Sequence, residues 1–187
     1  SSKGIVVMNT PHGNAITTAE HTLAMIFAAC RQIPAADYST QKGKWEKSKF
    51  LGQELSGKTL GLIGVGNIGS IVADRALALK LKVKAYDPFL TDERVQRLGI
   101  ERVKTLEKLV TESDIISLHI PKTDKTTNII NASLIKKMKR TAIVVNCARG
   151  GLIDERALAN ALKEKSIAAA AFDVFSVEPA LDNPLFG

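Results

Sequence analysis

With 187 residues, 45% of them hydrophobic and 24% charged, the chain is long enough for one well-buried domain and too short for two large ones. No apolar run approaches the ~18 residues that a membrane span requires, and residues 1–4 lack the apolar core of a signal peptide. Cys30 and Cys147 have no metal-ligand spacing, which favours reduced thiols in a cytoplasmic protein.

The net charge of +7 and the pI near 9.5 raise the question of a nucleic-acid partner. The basic residues are spread along the chain, mostly beside acidic ones, and the densest run, residues 136–140, is interpreted as the charged end of a helix. No zinc-finger, recognition-helix or aromatic RNA-binding pattern accompanies them. We therefore expect binding to neither nucleic acid nor membrane, and a basic surface that suits anionic cofactors and substrates.

Residues 59–87 carry the strongest local signal. A short apolar run at residues 59–63 is followed by the pattern G-x-G-x-x-G at Gly64, Gly66 and Gly69 and by apolar residues at helical spacing. A second strand-like run at residues 82–86 follows, and Asp87 closes it. Strand, glycine turn, helix, strand and acid form a dinucleotide-binding unit. In such a unit Gly64 permits a tight turn, Gly66 lets the backbone approach a pyrophosphate, and Gly69 lets the helix pack closely on the sheet.

Asp87 indicates which dinucleotide is bound. A carboxylate at this position accepts hydrogen bonds from the adenosine ribose hydroxyls and repels a 2′-phosphate, which favours NAD over NADP. The pyrophosphate is expected at the N-terminus of the helix, where unpaired N–H groups and the helix dipole favour an anion.

The segment before this unit is expected to hold a strand at residues 5–8 and a helix. Thr17 is the predicted N-cap of the helix, Glu20 completes a capping box, and Pro34 ends the helix. Residues 35–57, which include Trp45, show no periodicity, and we interpret them as an irregular arm that packs either on a partner subunit or back on its own domain. Residues 1–56 are thus assigned to a connecting strand, helix and arm, and residues 57–187 to the dinucleotide-binding domain.

After Asp87, strands and helices alternate. Strands are predicted at residues 101–103, 114–118, 142–146 and 168–172, and helices at residues 91–98, 105–111, 131–138 and 154–165. The alternation predicts an α/β fold with a doubly wound parallel sheet of the Rossmann type. Ligands of such sheets bind beyond the carboxyl ends of the strands, where Asp87, His119, Arg149 and Asp173 are found.

Three of the residues near strand ends are candidates for chemistry. Arg149 could bind a carboxylate or polarise a carbonyl with its planar guanidinium, or else pair with an acid or cap a loop. Glu178 could orient a histidine and raise its pKa, or be a solvated loop acid. Asp173 could contact the nicotinamide side of a cofactor, or cap a helix or turn.

The three histidines are weak candidates for acid–base catalysis. His12 precedes the first helix, and His21 lies on that helix and is interpreted as structural. His119 lies at a strand end, where packing against the cofactor is favoured over proton transfer.

With these residues in place, the sequence resembles the D-isomer-specific 2-hydroxyacid dehydrogenases, essentially from end to end. The motifs that carry the resemblance are AEHT at residues 19–22, GKWE at 43–46, ELSGKTLG at 54–61, NCARGG at 146–151 and DVF at 173–175 with Glu178-Pro179. Residues 43–61 are most similar to the branch of the family that acts on a phosphorylated hydroxy acid.

The resemblance implies NAD as the cofactor, 3-phosphoglycerate as the substrate and a role for each matching residue. It implies that Arg149 binds the substrate carboxylate and carbonyl, that Glu178 pairs with a catalytic histidine, and that Asp87 holds the adenosine ribose. Beyond the three glycines, it implies cofactor contacts from Asn67, Ile68, His119, Ile120, Cys147, Ala148, Arg149 and Asp173.

In this family the catalytic histidine lies a short way beyond the Glu-Pro motif, and a separate substrate domain completes the site. Neither matches a part of the sequence, so we expect a domain that binds NAD but is inactive by itself. A glycerate, hydroxypyruvate or glyoxylate reductase of the same family and a non-catalytic, NAD-sensing module of the corepressor type are the alternatives. A homodimer or higher oligomer is also expected, with a dimer contact through the first helix and the Trp45 segment.

Overall fold

The computed structural model describes residues 4–6, 8, 10 and 13–186. The strand predicted at residues 5–8 is not formed: Ile5, Val6 and Met8 are exposed and outside any strand, and Val7 lies outside the described residues. The sheet of the described chain does not reach these residues, so no neighbouring strand offers them a ladder of backbone hydrogen bonds. His12 also lies outside the described residues.

A parallel sheet of six strands forms the centre of the described chain. The strands are β1 Thr59–Ile63, β2 Lys82–Tyr86, β3 Glu101–Arg102, β4 Ile115–Leu118, β5 Ile143–Asn146 and β6 Ala169–Phe172, in the order β3-β2-β1-β4-β5-β6. The direction of winding reverses between β1 and β4, which opens a crevice at the carboxyl ends of these strands. The predicted doubly wound parallel sheet of the Rossmann type is confirmed.

Helices cover both faces of the sheet. They are α1 Ala15–Arg31, α2 Ile33–Gln41, α3 Asn67–Ala78, α4 Asp92–Leu98, α5 Leu106–Glu112, α6 Ala132–Ile135 and α7 Glu155–Lys163, with a 3-10 turn at Lys47–Phe50. Apolar side chains of α1, α3 and α4 pack on one face, and those of α5, α6 and α7 on the other. Because both faces are covered, β1, β4 and β5 are almost continuously apolar and buried.

Four helices start at side chains that satisfy a free backbone N–H group. Thr91, Thr105, Asn131 and Asp154 each accept a hydrogen bond from the N–H of the residue three positions on. The caps expected at Thr105 and Asp154 are therefore present. The helix predicted at residues 131–138 stops at Ile135, because the N–H groups of Lys137 and Met138 bond the third preceding carbonyl and tighten the chain into turns.

Two predictions for the first helix are wrong. Helix α1 starts at Ala15 with Asn14 as its N-cap residue, so Thr17 lies inside the helix rather than at the cap. Pro34 does not end helical structure: Gln32 adopts a left-handed conformation with φ 53°, and Pro34 lies in the first turn of α2. Proline is tolerated there because its missing N–H has no partner within a helix.

Helix α1 packs beside α3 and against β5 and β6, with Ala19, Ile26 and Cys30 buried in the core of the sheet. The connecting helix is therefore part of the hydrophobic core, although the division of the chain at residue 57 stays a prediction. Trp45 is 85% exposed, so it does not pack back on its own domain.

Gly69 is expected to be required for packing, because α3 approaches the preceding turn too closely for a side chain. A Cβ at Gly69 would lie 2.3 Å from the carbonyl oxygen of Gly64. We expect Gly69→Ala to lower the free energy of unfolding by about 1–2 kcal/mol, measured by urea denaturation.

Gly66→Ala is the matched control, because no atom lies within 4 Å of the position of its added Cβ. Its unfolding free energy should fall by less than about 1 kcal/mol, because the only loss is that alanine is a poorer N-cap than glycine. Equal destabilisation by the two substitutions would contradict the packing account of Gly69.

Candidate functional site

The glycine turn connects β1 to α3 and packs against the end of β4. Gly64 has φ 91°, and a Cβ there would lie 2.5 Å from Ile120 Cγ2 and 2.6 Å from the His119 carbonyl oxygen. Gly66, the N-cap residue of α3, faces open space instead. The backbone at Gly66 and the N-terminus of α3 thus form an open cradle for an anionic group such as a pyrophosphate.

Asp87 fixes this turn from the end of β2. Its Oδ2 accepts a hydrogen bond from the Val65 N–H at 2.8 Å, and its Oδ1 accepts one from the Phe89 N–H at 2.9 Å. A carboxylate oxygen can accept a second hydrogen bond. Asp87 can therefore hold the glycine turn and still accept a hydroxyl group of a ligand.

His119, at the end of β4, is poorly suited to proton transfer. Its Nε2 lies 3.0 Å from the hydroxyl oxygen of the buried Ser117. Burial lowers the pKa of His119 from 6.5 to about 4, because the charged imidazolium would lose its hydration. The imidazole is therefore neutral near pH 7, in accord with the interpretation of His119 as a packing residue.

Asn146, at the end of β5, shapes the loop that carries Arg149. Its buried side chain accepts a hydrogen bond from the Ala148 N–H at 3.1 Å and donates one to the Arg149 carbonyl oxygen at 2.9 Å. The Arg149 guanidinium donates from Nη1 to the Ala148 carbonyl oxygen at 2.6 Å, which leaves its other N–H groups for a ligand. Arg149 is exposed, so these donors are accessible.

Asp173 and Cys147 lie where the ends of β6 and β5 meet α1. His21 Nε2 on α1 lies 3.2 Å from Asp173 Oδ1. Burial raises the pKa of Cys147 to about 11, and the nearby Asp173 carboxylate adds to this, while a hydrogen bond with Thr22 acts in the opposite direction. Cys147 is therefore a protonated thiol, not a nucleophile.

These strand ends enclose a cleft of ≈ 570 Å³, within the usual range for small-molecule sites. The predicted site residues that line it are Ile68, His119, Ile120, Cys147, Ala148, Arg149 and Asp173. The other predicted cofactor contacts, Gly64, Gly66, Asn67, Gly69 and Asp87, belong to the adjoining glycine turn and its supporting acid.

Glu178 is the one predicted site residue outside this arrangement. It is exposed, does not line the cleft, and accepts a hydrogen bond from the Phe175 N–H at 2.9 Å. Neither of the described histidines contacts Glu178, because His21 pairs with Asp173 and His119 pairs with Ser117.

The sequence analysis missed the contribution of α1. Asn14, Thr17, Thr18 and His21 line the cleft together with Pro121 and Val174. Asn14, Thr17, Thr18 and His21 are spaced so that they lie on one side of the helix, and this spacing could have indicated a polar face. The sequence did not reveal that this side faces the ends of β5 and β6.

Residues 4–6, 8, 10 and 13–186 contain no group of three or more His, Cys, Asp or Glu residues arranged to hold a metal ion. Among the helices that these residues form, none has the length and apolar character needed to cross a membrane.

Residues 23–187 match the family model described as "D-isomer specific 2-hydroxyacid dehydrogenase, NAD binding domain". A D-3-phosphoglycerate dehydrogenase of Archaeoglobus fulgidus is 50% identical over 186 residues, which are 99% of this chain and 35% of that protein. The Bacillus subtilis D-3-phosphoglycerate dehydrogenase is 47% identical over 182 residues, 97% of this chain and 34% of that protein. The chain thus spans about a third of the length of these relatives.

Solved structures show the same likeness. The D-isomer-specific 2-hydroxyacid dehydrogenase of Lactobacillus delbrueckii ssp. bulgaricus, in its NAD-complexed form, has a TM-score of 0.85 at 34% identity and covers 96% of this chain and 55% of its own. The D-lactate dehydrogenase of Aquifex aeolicus, complexed with NAD and lactic acid, has a TM-score of 0.85 at 36% identity, and the match covers 96% of this chain and 54% of that one. A glyoxylate reductase of Paecilomyes thermophila has a TM-score of 0.89 at 33% identity, with 98% and 56% coverage.

The lowered pKa of His119 predicts a loss of stability in acid. Below pH 6.5 the unfolded chain binds a proton at His119, whereas the folded chain binds this proton only near pH 4. The contribution of His119 to the free energy of unfolding is therefore present above pH 6.5 and is lost as the pH falls from 6.5 to 4. Between pH 7 and pH 5 this proton should cost about 2 kcal/mol of unfolding free energy.

The measurement is urea denaturation at pH 7 and pH 5 for the parent chain and for His119→Asn, which cannot titrate. Both proteins share the carboxylates, so the difference between their pH dependences isolates His119. The same pH dependence in both proteins would show that burial does not suppress the charge of His119.

Proposed function

Because the chain belongs to the D-isomer-specific 2-hydroxyacid dehydrogenases and contains their NAD-binding domain, we propose that it is the cofactor-binding part of a D-3-phosphoglycerate dehydrogenase. Such an enzyme oxidises 3-phosphoglycerate to 3-phosphohydroxypyruvate, the step that leads into serine biosynthesis. The observation that carries the proposal is the position of Arg149. Its side chain lines the same cleft as Ile68, which lies at the end of the glycine turn.

The residues fit NAD along the whole sheet edge. Asp87 and Asp173 follow β2 and β6, which are separated by four strand spacings or about 19 Å. An extended dinucleotide can therefore bind with its adenosine ribose at Asp87, its pyrophosphate at Gly66 and its nicotinamide between Cys147 and Asp173. The support for this orientation is the open cradle at Gly66 and the acceptor capacity of Asp87.

In the proposed mechanism, bound NAD⁺ supplies the hydride acceptor. Arg149 binds the substrate carboxylate and the oxygen on C2 through paired N–H donors, which orients C2 and stabilises the charge that develops on this oxygen. The neutral His119 and the protonated Cys147 add no charge beside the reacting carbon. Glu178 is proposed to pair with the acid–base histidine of the intact enzyme and to favour its protonated form.

The chain by itself is proposed to bind NAD(H) without turning over substrate. The motive is that neither described histidine contacts Glu178 and that the pKa of His119 is far below neutral pH. Production of NADH from 3-phosphoglycerate by the purified chain would contradict this proposal.

We also propose that the protein is cytoplasmic and forms a homodimer through the α1 to Lys47–Phe50 region. Ile33, Tyr38, Trp45 and Leu51 are more than half exposed there, which is typical of surfaces that bind a partner. Both cysteines are buried free thiols, as suits a reducing compartment. Light scattering should give the mass of a dimer, and this mass should fall for Trp45→Ala. A monomer at all concentrations would contradict the dimer. Absence of the protein from the cytoplasmic fraction of its cells would contradict the proposed location.

Asp87 is predicted to determine the choice of cofactor. Asp87→Ala should weaken NAD⁺ binding about ten-fold or more, because the ribose loses its acceptor and the glycine turn loses the hydrogen bond to Val65. The preference for NAD⁺ over NADP⁺ should shrink, because the carboxylate no longer repels the 2′-phosphate. Isothermal titration of both cofactors measures this, and an unchanged preference would contradict the role of Asp87.

Arg149 is predicted to be required for turnover in the full-length protein. Arg149→Lys should lower kcat/KM for 3-phosphoglycerate about 100-fold or more, because a lysine cannot replace the bidentate guanidinium, while NAD⁺ affinity changes little.

A steady-state panel of 2-hydroxy and 2-keto acids identifies the substrate. A clear preference for glyoxylate or hydroxypyruvate would favour a reductase of the same family, which the likeness to the glyoxylate reductase structure keeps as the second candidate.

A further inference from the structure

Helix α1 contributes a histidine to the nicotinamide end of the cleft. His21 lines the cleft, and its Nε2 lies 3.2 Å from Asp173 Oδ1, with the two side chains 46% and 49% exposed. This contact is independent of the glycine turn and of Arg149.

The contact constrains the Asp173 carboxylate. An imidazole N–H is a donor and a carboxylate is an acceptor, so this close contact limits the rotamers that the Asp173 carboxylate adopts. The Asp173 backbone is already fixed, because its N–H donates to the Asn146 carbonyl oxygen at 3.1 Å. With Oδ1 paired to His21, Oδ2 has no hydrogen-bond partner among the described residues and is available to a donor in the cleft.

Helix α1 is held firmly at this place. Thr22, next to His21, is fully buried, bonds the Thr18 carbonyl oxygen at 2.8 Å and also interacts with the Cys147 thiol at the end of β5. His21 is therefore attached to a helix whose position relative to β5 and β6 is fixed by packing.

We propose that His21 is a positioning residue for the nicotinamide carboxamide and acts through Asp173. The NH₂ group of a carboxamide is a hydrogen-bond donor, and a carboxylate already held in one rotamer accepts it without a further loss of side-chain entropy. His21 thereby favours the binding of the nicotinamide half of NAD and not of the adenosine half. The inference rests on the proposed function, because it requires NAD to bind with its nicotinamide at the end of β6.

The test compares two ligands that differ by the nicotinamide. NAD⁺ and ADP-ribose are titrated calorimetrically into the chain and into His21→Ala. The Kd for NAD⁺ should rise about five-fold in the variant, from the cost of ordering Asp173 on binding, while the Kd for ADP-ribose should stay within about two-fold. His21→Gln, which keeps an N–H donor, should restore most of the affinity for NAD⁺.

Glu20→Ala is the matched control. It removes a second ion pair of α1, in which Glu20 Oε1 lies 3.0 Å from Arg75 Nη1, and neither residue lines the cleft. Both affinities should match those of the parent chain. If His21→Ala does not fold, His21→Leu, which also lacks an N–H donor, takes its place in the same titrations.

Asp173→Asn shows whether His21 acts through Asp173. In this background, replacement of His21 by Ala or Gln should have no further effect on NAD⁺ binding, as a double-mutant cycle requires of coupled residues. Unchanged NAD⁺ affinity in His21→Ala, or equal losses for NAD⁺ and ADP-ribose, would overturn the proposal. A parent chain that binds neither ligand would instead overturn the proposed function.

Discussion

The close approach between α3 and the glycine turn is the constraint on which the rest of the site depends. Gly69 packs on the Gly64 carbonyl, and Gly64 packs on the end of β4 at His119 and Ile120. Neither contact leaves room for a Cβ. Together they fix the N-terminus of α3 at the point where the winding of the sheet reverses, so this positive end of the helix needs no adjustment when an anion binds in the crevice.

Charge along the crevice follows from this arrangement. Asp87 lies at the β2 end, Asp173 at the β6 end, and Arg149 between them at the end of β5. His119 and Cys147, which are also at strand ends, are neutral because burial disfavours their charged forms. In the proposed binding mode, a dinucleotide meets an acceptor at each end and an anion cradle in between, and Arg149 is left for the carboxylate of a small acid.

Local sequence signals predicted most of the fold and much of the site. The bounds of β1 and β2 were predicted as observed, because an apolar run between turn residues is a local property. The strand predicted at residues 5–8 is wrong because a strand needs a neighbouring strand, which the sequence does not reveal. The cap predicted at Thr17 is wrong because α1 already begins at Ala15. The pairing of His21 with Asp173 was not predicted, because it joins residues 152 positions apart, across the packing of α1 on the sheet.

The central claim, that NAD binds along the carboxyl edge of this sheet, is tested most directly by NMR. Backbone amide shifts of the isotope-labelled chain would be followed during titration with NAD⁺. We expect the largest shift changes at Val65, Gly66 and Asn67 and at residues 147–149 and 173, with little change at the amino ends of the strands. Changes confined to the amino ends, or an unaltered spectrum at saturating NAD⁺, would contradict it.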